Sequence, residues 1–139
     1  MTIYLDARVL VALFVANDAL VARGRTIGVN GENRLVVSSF AATEFSAVVA
    51  RLRRTHRMYN AQAVLTLFEA WQARFTEQEE TRNADVQAAS ELVRRPDLNL
   101  RAPDAIHLAI ARPIGAAVAT FDAGMVANAT ALGIVIPPS

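Results

Sequence analysis

Four acidic residues stand where a carboxylate could meet a bound ion. Asp6 follows the apolar run Ile3-Tyr4-Leu5, and Asp122 follows the run from Ala117 to Phe121, so each closes a predicted strand. Glu44 lies one turn into the helix after the second strand, and Asp104 opens the helix that begins at Pro103. In open parallel sheets, ligands bind beyond the carboxyl ends of strands. First turns of the following helices point at the same crevice. Carboxylates that converge there repel one another, and a hard divalent cation with oxygen ligands resolves the repulsion. Capping is the competing account: an acid at a helix start accepts free backbone N–H groups and complements the macrodipole. Capping suffices for Glu44, Asp104 and Asp122 taken singly. Asp6 fits it less easily, because it sits between two apolar segments.

Composition narrows the chemistry. Cysteine is absent, and all 14 basic residues are arginine. Thiol nucleophiles, Cys-ligated zinc and iron–sulfur clusters are excluded. So are Schiff-base lysines and the phosphate loop that ends in Gly-Lys-Ser/Thr. At 139 residues, 53% hydrophobic and 19% charged, the chain reads as one folded domain and not as a disordered segment. A net charge of +1 neither demands nor forbids nucleic acid. The segment Met1–Asp6 lacks the basic region of a signal peptide. The apolar stretch 9–16 is too short to span a bilayer. The expectation is a cytoplasmic protein that does not engage membranes.

The elements that must position the acids follow from periodicity. Strands are predicted at 2–5, 35–38 and 116–120, with a last one at 133–136 and a weak candidate at 74–76. Helices are predicted at 7–16, 19–27, 41–54, 58–73, 79–95, 103–112 and 122–132. Pro96 stops one of them and Pro103 suits the first turn of the next. Strands alternating with helices imply parallel crossovers and a sheet covered on both faces. A dinucleotide-binding site would need clustered glycines after the first strand, where Asp6-Ala7-Arg8-Val9 stands instead. Phosphoryl-transfer receivers and haloacid-dehalogenase-like phosphatases normally need a lysine, which this chain lacks.

Four blocks occur in order: Met1 to Leu10 with Asp6, Ala42-Thr43-Glu44, Arg101-Ala-Pro-Asp104-Ala-Ile-His107-Leu-Ala109, and Ala119-Thr120-Phe-Asp122. Together they resemble PIN-domain ribonucleases, specifically the VapC toxins of type II toxin–antitoxin pairs. The resemblance spans nearly the whole chain. It implies a three-layer α/β/α fold around a central, mostly parallel sheet. It implies Mg²⁺- or Mn²⁺-dependent RNA hydrolysis giving 5′-phosphate and 3′-hydroxyl ends. A VapB-type antitoxin would be the partner, and a homodimer the expected assembly. Asp6, Glu44, Asp104 and Asp122 match the family's acidic positions. Asp6, Asp104 and Asp122 are expected to hold the metal, and Glu44 to orient or deprotonate the water. Thr120 is expected either to bond a carboxylate or a metal-bound water, or simply to serve as a strand former.

Two adjacent positions depart from the family pattern. Small hydroxyl or amide residues usually follow the first Asp, whereas Ala7 and Arg8 follow it here. Arg8 either pairs with Asp6 and weakens metal binding, points away, or grips a substrate phosphate. A second reading follows: a catalytically weakened homologue that works mainly as the antitoxin-binding half of a complex. Arg51, Arg53, Arg54, His56 and Arg57 form a basic cluster suited either to RNA phosphates or to the end of a helix dipole. His107 lies three residues after Asp104, on the same helix face, as a proton donor, a substrate contact or a structural group. Leu65, Phe68 and Trp71 are expected in the core or lining a groove for a partner's helix.

Overall fold

The computed structural model describes residues 1–15 and 32–138. Four strands form one parallel sheet in the order β3-β2-β1-β4. They are β1 (Thr2–Leu5), β2 (Arg34–Ser38), β3 (Thr76–Glu79) and β4 (Ala117–Ala119). The helices are α1 (Ala7–Phe14), α2 (Ser39–Arg54), α3 (Ala61–Phe75), α4 (Asn83–Val93), α5 (Ala102–Ala111) and α6 (Ala123–Ala131). Strand β1 is central, paired in register with β2 (Ile3 opposite Leu35) and with β4 (Leu5 opposite Ala119).

Strand alternation decides the layers. Ile3, Leu5, Leu35, Val37 and Ala119 join Val9, Leu10, Phe45, Val49 and Phe68 in one core, which α1, α2 and α3 cover. Tyr4, Val36 and Val118 point the opposite way, into a core with Leu92, Leu108, Met125 and Ala129 from α4, α5 and α6. The result is the α/β/α sandwich expected from the sequence. Phe68 is buried, and Phe14 packs edge-on to both Phe68 and Trp71 at 5.5 and 5.2 Å. Among the described residues no helix is long and apolar enough to cross a membrane.

Three expectations are corrected. The weak strand at 74–76 shifts to Thr76–Glu79, because Arg74 and Phe75 finish α3. The helix expected from Glu79 begins only at Asn83, since Glu79 belongs to this edge strand. The predicted strand at 133–136 does not form. The Val118 N–H donates to the Val135 carbonyl at 2.9 Å, but no ladder follows. Pro137 and Pro138 lack the N–H groups that would extend one. The helix expected at 19–27 lies outside the described residues.

Helices α2 and α6 end in the same way. In α6, Gly133 takes φ 73°, its N–H donates to Thr130 and the N–H of Ile134 to Ala129. In α2, His56 takes φ 58°, its N–H donates to Arg53 and that of Arg57 to Leu52. Both are Schellman caps, a motif that favours glycine at the left-handed position. A side chain there costs on the order of 1 kcal/mol. His56→Gly is therefore expected to raise unfolding stability by about 1 kcal/mol. Urea denaturation checks this, and an unchanged or lower midpoint would contradict it.

Candidate functional site

The acids gather at the carboxyl edge of the sheet. Asp6 follows β1 and caps α1, its Oδ1 accepting from the Val9 N–H at 3.0 Å. Asp122 comes three residues after β4 and caps α6, its Oδ1 accepting from the Met125 N–H at 3.1 Å. The capping account thus holds for both. Adjacent strands bring them together: the Asp6 N–H donates to the Ala119 carbonyl at 3.3 Å. Thr120 sits between them. Its hydroxyl donates to the Asp6 carboxylate and accepts from the Asp122 N–H at 3.2 Å.

Asp6 is 5% exposed. Burial disfavours its charged form and pushes its carboxyl above the ordinary aspartate range. The bonds from Thr120 and Val9, and the charge of Arg8, pull the other way without cancelling the burial.

Glu44 and Asp104 enter from opposite helical layers. Asp104 lies in the first turn of α5, with Arg101 at 3.9 Å. Glu44 on α2 reaches across to α5, where its Oε1 meets His107 Nε2 at 2.5 Å. His107 is 3% exposed, and its Nδ1 lies 2.6 Å from the Tyr4 hydroxyl. The Tyr4 hydroxyl is in turn 2.7 Å from Ser38 Oγ. Tyr4, Ser38 and Arg101 were not singled out in the sequence as site residues. The only signal was a hydroxyl-bearing residue in an otherwise apolar strand.

Of the three readings open for Arg8, pairing with Asp6 is not the one found. The Arg8 Nη1 lies 3.4 Å from Asp122 Oδ2, so Asp122 and not Asp6 is the ion-pair partner. Asp6 is the N-cap and Arg8 stands two residues on; positions two apart on a helix do not face each other. The Arg8 side chain is 62% exposed, and such a pair contributes about 0.2–1 kcal/mol.

The donor set is all oxygen, which suits a hard divalent ion. As arranged, however, the acids are turned to internal partners. Among the described residues no three His, Asp or Glu side chains converge to hold one ion. An open groove of about 460 Å³ runs beside them between α1 and α2. Arg8, Arg51 and Arg54 line it with Glu44, over an apolar floor that includes Val11 and Val48. Arg53, His56 and Arg57 are exposed but do not line it.

The PIN domain family model matches residues 3–130. No curated protein matches the chain by sequence. Among solved structures, the fold is similar to VapC20 of Mycobacterium tuberculosis, a toxin that cleaves the sarcin–ricin loop. That likeness has a TM-score of 0.73 at 21% identity and covers 99% of each chain. It is similar to VapBC2 of Rickettsia felis, solved bound to a DNA fragment from its promoter, with TM-score 0.69, 12% identity and 99% and 98% of the two chains covered. FitAcB of Neisseria gonorrhoeae gives 0.62 at 18% identity, covering 98% and 96%. At these identities the likeness is one of fold.

Two outcomes test the electrostatics. Arg8→Ser is expected to tighten Mn²⁺ binding by no more than about fivefold, the equivalent of 1 kcal/mol. Calorimetry measures it, and an unchanged dissociation constant would remove Arg8 as a competitor. Asp6→Asn should stabilise the fold at neutral pH. The folded-state value of Asp6 lies above its unfolded one, so the ionised form carries a folding penalty. That penalty is absent below the unfolded value and grows as pH rises through the folded value. The advantage of the variant should therefore shrink as pH falls. Denaturation curves between pH 4 and neutrality, the conditions proposed here, check the sign.

Proposed function

The chain belongs to the PIN domain family, and from that premise we propose that it is a ribonuclease toxin of VapC type. It hydrolyses RNA phosphodiester bonds with Mg²⁺ or Mn²⁺, leaving 5′-phosphate and 3′-hydroxyl ends. What supports this reading is that Asp6 and Asp122 follow neighbouring strands and cap the helices after them, and that Glu44 lines a groove bearing Arg8, Arg51 and Arg54. Asp6, Asp104 and Asp122 would hold the ion. When bound, it supplies charge neutralisation at the phosphate and an activated water.

The chain's own groups do the rest. Arg8, Arg51 and Arg54 face the groove as donors for phosphate oxygens, where bidentate guanidinium contacts are strong. Glu44 lines the same groove and orients or deprotonates the attacking water. Thr120 holds the Asp6 carboxylate in place while bonding the Asp122 backbone. A VapB-type antitoxin is the proposed partner, as in the paired assemblies whose fold this chain shares. A homodimer in the cytoplasm is the proposed state.

The Arg8–Asp122 pair favours a second reading, in which metal binding is weak and the chain serves mainly as the antitoxin-binding half of a complex. Its exposure argues that it weakens an ion site without closing it. The parent protein with Mn²⁺ is expected to cut RNA, and Asp104→Asn to lose about a hundredfold or more, the worth of a metal ligand set. Gel assays with end-group analysis measure both. A parent that binds neither Mn²⁺ nor RNA would favour the second reading.

A further inference from the structure

Tyr4 and Ser38 are fully buried and His107 nearly so, yet each carries polar side-chain atoms into the core. They are joined in a line. Ser38 Oγ accepts from the Ala41 N–H at 3.0 Å, meets Tyr4 Oη at 2.7 Å, and Tyr4 Oη meets His107 Nδ1 at 2.6 Å. His107 Nε2 then meets Glu44 Oε1 at 2.5 Å. The proton order follows from the two ends. An ionised carboxylate only accepts, so Nε2 carries its proton and donates to Glu44. In the neutral ring Nδ1 then accepts, and the Tyr4 O–H donates to it. The Ser38 O–H is left to donate to Tyr4 Oη, and every member is satisfied. No buried side-chain nitrogen or oxygen lacks a partner among the described residues.

We infer that Ser38, Tyr4 and His107 form a buried hydrogen-bond relay that fixes the Glu44 carboxylate at the edge of the groove, making Tyr4 and His107 positioning residues for the reaction. One oxygen of Glu44 is committed to His107, which leaves Oε2 to act in the groove that Glu44 lines. The ring cannot turn to another partner. It packs against Tyr4 on one side and Phe40 on another, at centroid distances of 5.6 and 5.1 Å. A long side chain such as Glu is otherwise rotamer-rich, and holding it in one pose is how a site gains pre-organisation. The catalytic part of this inference rests on the nuclease reading above; the positional part does not.

Two measurements separate them. In ¹⁵N-labelled full-length protein, the imidazole nitrogens of His107 should report a single Nε2–H tautomer with a slowly exchanging proton. Glu44→Ala should speed that exchange and mix the tautomers, and Tyr4→Phe should leave the Nε2–H form in place. A mixed tautomer in the parent, or spectra unmoved by Glu44→Ala, would overturn the relay whether or not RNA is cut. In RNA cleavage with Mn²⁺, His107→Leu and Glu44→Gln should each lower kcat by about 10- to 100-fold with KM within about twofold. The double variant should be no worse than Glu44→Gln alone, because one residue acts through the other. His107→Gln should recover most of the loss, since its amide can donate to Glu44. Losses that multiply, or a His107→Leu variant that loses only thermal stability, would reduce His107 to a structural group. A parent that shows the single tautomer but cuts no RNA would sink the nuclease reading and leave the positional relay standing.

Discussion

A tyrosine hydroxyl and an imidazole must be buried at the centre of an apolar core, and the arrangement around the sheet's edge follows from meeting that demand. Tyr4 is on the central strand, and its hydroxyl reaches the core between the sheet and α4, α5 and α6. An unpaired polar group there would cost about 1–3 kcal/mol. His107 on α5 and Ser38 at the end of β2 supply its partners. His107 in turn needs an acceptor, and Glu44 on α2 supplies one from the opposite helical layer. Satisfying one hydroxyl thus ties β1, β2, α2 and α5 to a common point beside the acids.

The acidic edge itself obeys a different rule. Two of the four carboxylates also serve as helix caps, Asp6 for α1 and Asp122 for α6. Capping and ligand chemistry are not rival explanations here. A residue that ends a parallel strand is also the residue that starts the next helix, so a short crossover puts both duties on one side chain. Arg8, Arg101 and His107 then supply cationic or donor partners to Asp122, Asp104 and Glu44. Asp6 has instead two neutral donors and deep burial, which is why its carboxyl resists ionisation.

Much of this was legible in the sequence, and the remainder had physical reasons for being hidden. Strands β1, β2 and β4 are apolar, so they read clearly, and with them the acids at their ends. Strand β3 is Thr-Glu-Gln-Glu, an edge strand with no apolar alternation. It is held by pairing to β2 and by the bidentate Arg34–Glu77 contact, at 2.9 and 2.6 Å. Neither leaves a hydrophobic period. The sequence left the partner of Arg8 open, because helix geometry turns Arg8 away from Asp6 and towards Asp122 on a distant segment. The sequence placed His107 on a helix beside Asp104 but gave no sign of its partners. Its bond to Glu44 joins residues 63 apart, a distance that only the packed layers close.

The hydrogen-bond line has one more property: it begins and ends on α2. Ser38 caps that helix and Glu44 lies on it, so the line is a closed circuit through β1 and α5. A circuit of three buried groups and a half-exposed carboxylate is costly to edit one member at a time unless the new side chain makes the same bond. Any other single exchange leaves a neighbour without its partner. Drift at these four positions is thereby narrowed to side chains that keep the bond, whatever reaction the groove beside them performs.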